Sequence, residues 1–127
     1  MKLPITINEN SGEPLYHQIE TQLRTLILSG VVSSGTLLPS IRELASQMKC
    51  SVITIKRVYS DLETEGIIRT KQGTGTYVLE LQEGSFVKQK EEALREAMQH
   101  FLSTAKQLNV DKEMIEALFN EEINHYE

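Results

Sequence analysis

Residues 39–79 read PSIRELASQMKCSVITIKRVYSDLETEGIIRTKQGTGTYVL. The stretch opens with a helix signature. Ser40 and Glu43 have the spacing of a capping box, with Ser40 as N-cap and Glu43 at the third helical position. Ile41, Leu44, Ala45 and Met48 then form one apolar stripe. Lys49-Cys50 reads as a tight turn, and Ser51 as the N-cap of a second helix. Ile55, Val58, Tyr59 and Leu62 turn its apolar side inward, and Gly66 is placed for a left-handed cap at its end. Two short runs rich in β-branched and aromatic residues follow, Ile67 to Lys71 and Thr76 to Leu79. Gln72-Gly73-Thr74-Gly75 joins them as a hairpin turn.

On the N-terminal side, Pro14 suits a first helical turn, and Leu15, Ile19, Leu23, Leu26 and Ile27 recur at helical spacing up to Gly30. Residues 31–38 read as a turn-rich connector around Gly35, and residues 1–11 as extended and loosely held. Three helices followed by a β-hairpin is the winged-helix order. On the C-terminal side Gly84 marks a break, and a long helix is expected from Phe86 to Leu108. Val87, Leu94, Phe101 and Leu108 fall every seven residues along it, with Met98 and Ala105 in a second seam that Glu91 interrupts. Asp111 caps a last helix, with Val110 and Ile115 placed as a hydrophobic staple and Met114, Leu118, Phe119 and Ile123 on its apolar side.

The fold class expected is mainly α with a small β-hairpin: a winged helix-turn-helix DNA-binding domain over 1–80 and a helical-hairpin dimerisation tail over 81–127. A helix pair of this size buries little apolar surface alone. That predicts a homodimer joined through Val87, Leu94, Met98, Phe101, Leu102, Ala105, Leu108, Met114, Leu118 and Phe119.

The chain has 127 residues, 39% of them hydrophobic, which suffices for a small packed core. No apolar run is long enough to span a membrane, and MKLPITINENSGEP lacks the apolar centre of a signal peptide. One cysteine, Cys50, leaves no intramolecular disulfide, and a reducing cytoplasm is the compartment expected. The net charge of −5 looks unsuited to nucleic acid until it is mapped. Residues 1–80 carry 8 Lys/Arg and 8 Asp/Glu, whereas 81–127 carry 5 and 10, so the whole acidic excess lies in the tail. Within 39–60, Arg42, Lys49, Lys56 and Arg57 face only Glu43. Local charge of this kind governs docking on phosphate over a Debye length of about 8–10 Å.

The ordered set of residues resembles the GntR family of bacterial transcription regulators. It comprises Pro14-Leu15-Tyr16 with Gln18-Ile19, Gly30, Gly35, Leu38-Pro39-Ser40, Arg42 and Leu44-Ala45. It continues with Ser51, Thr54, Lys56-Arg57, Tyr59, Leu62-Glu63, Gly66 and Gly73-Thr74-Gly75-Thr76-Tyr77-Val78, so that about residues 13–79 are covered. The short tail is similar to that of the YtrA subfamily, whose members end in two dimerising helices. The resemblance implies a homodimeric repressor on an inverted-repeat operator of double-stranded DNA, with its own operon and neighbouring transporter genes as targets. It implies no cofactor. The tail is too short for the large effector-binding domain of other branches, so a small-molecule effector is left unassigned.

In helix-turn-helix docking the start of the second helix of the motif reads base edges in the major groove. Here that is Ser51, Val52, Ile53, Thr54, Lys56 and Arg57. Ser51 and Thr54 offer hydroxyls to base or phosphate, and Val52 and Ile53 offer apolar contact to thymine methyls. Lys56 matches the family's basic contact, and Arg42 its arginine in the preceding helix. Ser40 offers phosphate a backbone N–H at a helix start. Gly73, Thr74 and Gly75 form a wing tip that approaches a groove closely, flanked by Arg69 and Lys71 as phosphate partners. Plainer roles compete. Ser40 and Ser51 cap helices with or without DNA, the tail could cover Val52 and Ile53, Arg57, Arg69 and Lys71 could be solvated charge, and the glycines could serve the turn alone. Tyr16 and Tyr59 read as core or near-core aromatics. Nothing resembles a catalytic triad, a phosphate loop or a metal cluster, so an enzyme is not expected. A winged-helix module for protein partners and an effector-gated sensor are the alternative readings.

Overall fold

The computed structural model describes residues 1–79 and 86–127. The boundary expected between residues 80 and 81, and the break at Gly84, lie outside them. The order is α1 (Leu15–Leu28), α2 (Ile41–Met48), α3 (Val52–Thr64), β1 (Ile68–Lys71), β2 (Gly75–Val78), α4 (Val87–Gln107) and α5 (Lys112–Ile123). The fold is thus mainly helical with one two-stranded hairpin. The chain divides into two compact units, Met1–Gln89 and Lys90–Glu127. No helix among the described residues is long and apolar enough to cross a membrane.

Local signals set the ends of the helices in the first unit. Ser40 Oγ accepts the Glu43 N–H and the Glu43 carboxylate accepts the Ser40 N–H, each at 3.1 Å, so the capping box is formed. Lys49, in the left-handed region at φ 54°, stops α2 and turns the chain into Ser51. Ser51 Oγ then accepts the Thr54 N–H at 3.1 Å and starts α3. Apolar spacing builds one core from Ile19, Leu23 and Ile27 of α1, Leu44 of α2, Ile55, Val58 and Leu62 of α3, and Ile67, Ile68 and Val78 of the hairpin. Each such side chain contributes about 1.5–3 kcal/mol when removed from water. Tyr59 is buried with them, and its hydroxyl donates to the Pro39 carbonyl at 2.6 Å. Phe86, just ahead of α4, joins the same cluster.

The hairpin is antiparallel in the register Ile68↔Val78, Arg69↔Tyr77, Thr70↔Thr76 and Lys71↔Gly75. β1 begins one residue later than expected and β2 lies one residue earlier, because Gly75 already pairs with Lys71 and only Gln72, Gly73 and Thr74 remain for the turn. Gly75 has φ 131°, and a Cβ there would meet Leu37 Cδ1 at 2.8 Å. Leu37 is half exposed and can yield, so the backbone angle is the larger obstacle. Gly75→Ala is expected to destabilise the protein by about 1–3 kcal/mol, whereas Gly12→Ala, with open space around it, stays near neutral. Urea unfolding of the two variants checks this.

Two expectations need correction. Residues 35–38 are more than a connector. Gly35 and Leu38 donate N–H to the Val78 and Thr76 carbonyls, and Val78 donates to Thr36, so this segment runs along the free edge of β2. The N-terminal residues are extended but not loosely held. Leu3 is buried, and Ile5 and Ile7 pack on the core. Gln22 accepts the Thr6 N–H at 2.9 Å and donates to the Thr6 carbonyl at 2.7 Å. Gln18 makes the same pair of bonds with Asn8 at 2.8 and 3.1 Å. Two glutamine amides one helical turn apart thus stand in for a neighbouring strand.

α1 and α3 are also tied by charge. Arg24 donates to both carboxylate oxygens of Glu65, at 2.8 and 2.7 Å, and to Glu20 at 3.2 Å. Glu20 is 8% exposed and its Oε1 has no hydrogen-bond partner. Burial, and then the nearby Asp61 carboxyl, push Glu20 up to about 7 from 4.5. The folded chain therefore holds a proton that the unfolded chain releases, and stability falls as pH rises through that interval. Glu20→Gln removes this dependence. The variant is expected to gain about 2–3 kcal/mol on the parent between about pH 5 and pH 8, read from urea midpoints at the two values.

In the second unit a turn with Asn109 at φ 58° separates α4 from α5. Asp111 caps α5 by accepting the Met114 N–H at 3.0 Å. Almost nothing in this unit is buried. Leu94 (65% exposed), Met98, Phe101 (45%), Leu102, Leu108, Met114, Leu118, Phe119 and Ile123 all face outward. Val87, in the first turn of α4, is likewise exposed. Ala105 departs from the expected dimerisation set: it is 6% exposed within its own chain, so its small side chain is not offered to a partner.

Candidate nucleic-acid interface

The outward side of α3 is built by the same cap and stripe that bury its inner side. With Ile55, Val58, Tyr59 and Leu62 in the core, Ser51, Val52, Ile53, Lys56 and Arg57 are left exposed. Val52 is 46% and Ile53 79% exposed. Two bulky apolar side chains held in water beside two cations suit contact with apolar base edges under a phosphate backbone. Thr54 is half buried, and its hydroxyl lies 2.9 Å from Ser51 Oγ. The N-cap role therefore engages both hydroxyls already, with acceptor capacity to spare.

α2 and the wing meet in a cleft of about 420 Å³ that Ser40, Arg42, Thr74 and Gly75 line, with Leu37 and Thr76 between them. Arg42 is exposed, lines this cleft and makes no ion pair among the described residues. The adjacent Glu43 is committed to its cap, where the Ser40 N–H and hydroxyl hold its carboxyl below the usual range. On β1, Arg69 and Lys71 are exposed, and the Lys71 Nζ lies 5.0 Å from the Tyr77 ring centroid. The hairpin is also tied back to α3, because the Glu63 carboxylate of α3 accepts the Thr70 N–H at 3.0 Å. One structural unit thus presents Arg42, Lys56, Arg57, Arg69 and Lys71 together with the Gly73–Gly75 tip.

Arg57 is held in a way that the sequence reading missed. Its guanidinium carbon lies 3.6 Å from the centroid of the Tyr16 ring, and its Nε lies 4.0 Å from Asp61. Tyr16 is partly buried at the start of α1 and packs against the core, as the near-core reading expected. Leu37 was missed too, since it bridges to Tyr77 of β2 and walls the cleft. The only signal for Tyr16 was its place in the Pro14-Leu15-Tyr16 run.

No group of three or more His, Cys, Asp or Glu among the described residues is placed to hold a metal. His17 is taken by Glu13 at 3.1 Å. Cys50 packs against the core, and burial raises its thiol.

Residues 15–78 match the model of the family described as bacterial regulatory proteins, gntR family. The chain is 35% identical over 111 residues to the HTH-type transcriptional repressor YtrA of Bacillus subtilis, covering 87% of this chain and 85% of that protein. A GntR family transcriptional regulator from Listeria monocytogenes superposes with a TM-score of 0.71 at 31% identity, over 88% of this chain and 97% of that one. The DNA-binding domain of AraR, solved in complex with its operator ORX1, superposes with a TM-score of 0.53 at 26% identity, over 61% of this chain and 98% of that one.

Proposed function

The chain belongs to the GntR family of bacterial regulatory proteins and is a transcription regulator with a DNA-binding domain, not an enzyme; from that premise we propose that it is a homodimeric repressor of an inverted-repeat operator. The observation that carries this reading is the exposed start of α3, where Val52 and Ile53 stand at 46% and 79% exposure beside Lys56 and Arg57. In this reading Ser51, Val52, Ile53, Thr54 and Lys56 enter the major groove, with Arg42 and Ser40 at its edge. Gly73, Thr74 and Gly75 approach the adjacent groove, and Arg69 and Lys71 meet phosphate. The apolar face of α4 and α5 closes on that of a second copy, and the two-fold axis so formed matches the operator's inverted repeat. The operator lies upstream of the gene for this chain and controls neighbouring transporter genes.

Fluorescence anisotropy on the duplex upstream of that gene, at two salt concentrations and with unrelated competitor DNA, tests the reading. Competitor-resistant binding at two protomers per duplex is expected. Binding equal to that on unrelated DNA would overturn the operator assignment, and capture of a protein partner that survives neutralising Arg42 and Lys56 would favour an interaction module.

A further inference from the structure

Among the described residues, Arg57 is the one cation of α3 with a partner on another helix. α3 leaves it exposed one turn beyond Ile53, and Tyr16 of α1 covers one face of its planar guanidinium at 3.6 Å. Asp61, one turn further on, stands at 4.0 Å from Nε. No protein acceptor among the described residues takes a hydrogen bond from either Nη. One face is therefore stacked, the Nε edge is turned toward a carboxylate, and two N–H-bearing nitrogens remain side by side. That is the arrangement that meets two phosphate oxygens at once. A free arginine loses rotamer freedom when it docks, whereas one already laid on a ring loses less.

We propose that Tyr16 is a positioning residue of the DNA interface, holding Arg57 as a clamp for a backbone phosphate. The clamp rests on the DNA-binding reading above and adds α1 to the elements that serve it. Tyr16 acts through Arg57 and not as a stacking platform for a base, because its ring face is already occupied. A phosphate contact carries no sequence information, so its loss weakens binding to every duplex alike.

The test is the salt dependence of binding to a mixed-sequence duplex, for the full-length protein and for Tyr16→Leu, Tyr16→Phe, Arg57→Ala and the Tyr16→Leu/Arg57→Ala pair. Removing one phosphate contact per protomer lowers the magnitude of the log–log salt slope by about 0.9 per protomer. Arg57→Ala is expected to show this drop and to lose about 3- to 10-fold in affinity at low salt. Tyr16→Leu follows it in the same direction, Tyr16→Phe keeps the parent slope, and Tyr16→Leu adds nothing once Arg57 is gone. Thermal unfolding of each variant identifies any that fail to fold. A parent-like slope in folded Tyr16→Leu, or an equal loss from it in the Arg57→Ala background, overturns the clamp while leaving the DNA-binding reading intact. A parent protein that binds no duplex at low salt overturns both.

Discussion

Lys56→Ala is expected to cost about 1–3 kcal/mol of operator affinity per half-site, as for a side chain that reads a base. The proposed dimer would carry the change twice, so the full operator would lose about 2–6 kcal/mol, or roughly 30-fold to more than 10⁴-fold. Lys56 is exposed on the same side of α3 as Val52, one turn away, and among the described residues no salt bridge restrains it. The cost therefore reflects the complex and not the fold. Arg42→Ala is expected to weaken binding to a similar degree, since Arg42 lines the α2–wing cleft with no ion pair to lose among the described residues. Anisotropy titrations on operator and on unrelated duplex separate the two roles. A base contact narrows the gap between the duplexes, whereas a phosphate contact lowers both curves together. Lys112→Ala in α5 serves as the charge-matched control and should leave both curves in place. Operator affinity unchanged in both alanine variants would remove these residues from the interface.

The second large effect is expected from the tail. Phe101→Asp places a carboxylate in an apolar face that already includes Leu94, Met98, Leu102, Leu118 and Phe119, all exposed in the single chain. An apolar face of this size on a unit with almost no core of its own needs a cover. In the proposed dimer a charge on this face meets a second copy of itself across a two-fold axis, so desolvation and repulsion act together. The variant is expected to sediment as a monomer. Its affinity for a two-site operator should fall by about 10²–10⁴-fold, because two linked half-site contacts become two independent ones. The first unit should fold as before, since its core draws on Ile19, Leu23, Leu44, Ile55, Leu62 and Val78 and, among the described residues, on Phe86 alone of the tail. Sedimentation and anisotropy on the same preparation check both halves. A Phe101→Asp variant that remains dimeric would place the interface elsewhere.

What the sequence made legible follows the range of each interaction. The caps at Ser40, Ser51 and Asp111 are exchanges between residues three positions apart, and each was readable from composition alone. The inward stripes of α1 to α3 were readable because one helical period governs them. The pairing of residues 35–38 with β2 was not, since its partner is forty positions away and Gly35 signalled only a turn. The N-terminal strap left a trace that was passed over. Leu3, Ile5 and Ile7 alternate as a half-buried strand does, but the partners are glutamine side chains of a helix, which no period encodes. Ala105 sat in the expected seam by heptad count, yet a small side chain beside the α4–α5 turn is enclosed by its own chain. The candidate interface was legible as a set of residue types. Its assembly, Ser40 and Arg42 facing Thr74 and Gly75 across one cleft and Arg57 laid on Tyr16, depends on tertiary packing.

The bond from Thr70 N–H to Glu63, together with the stitching of residues 35–38 onto β2, has a mechanical meaning. Hairpin, α3 and the lead into α2 are fastened to one another at several points, so they respond to load as a stiff body with little compliance of its own. When such a body meets a duplex whose grooves are slightly out of place, it is the duplex that must twist or bend. The elastic energy of that deformation depends on base steps that the protein never touches, and it will enter the ranking of binding sites alongside the contacts themselves.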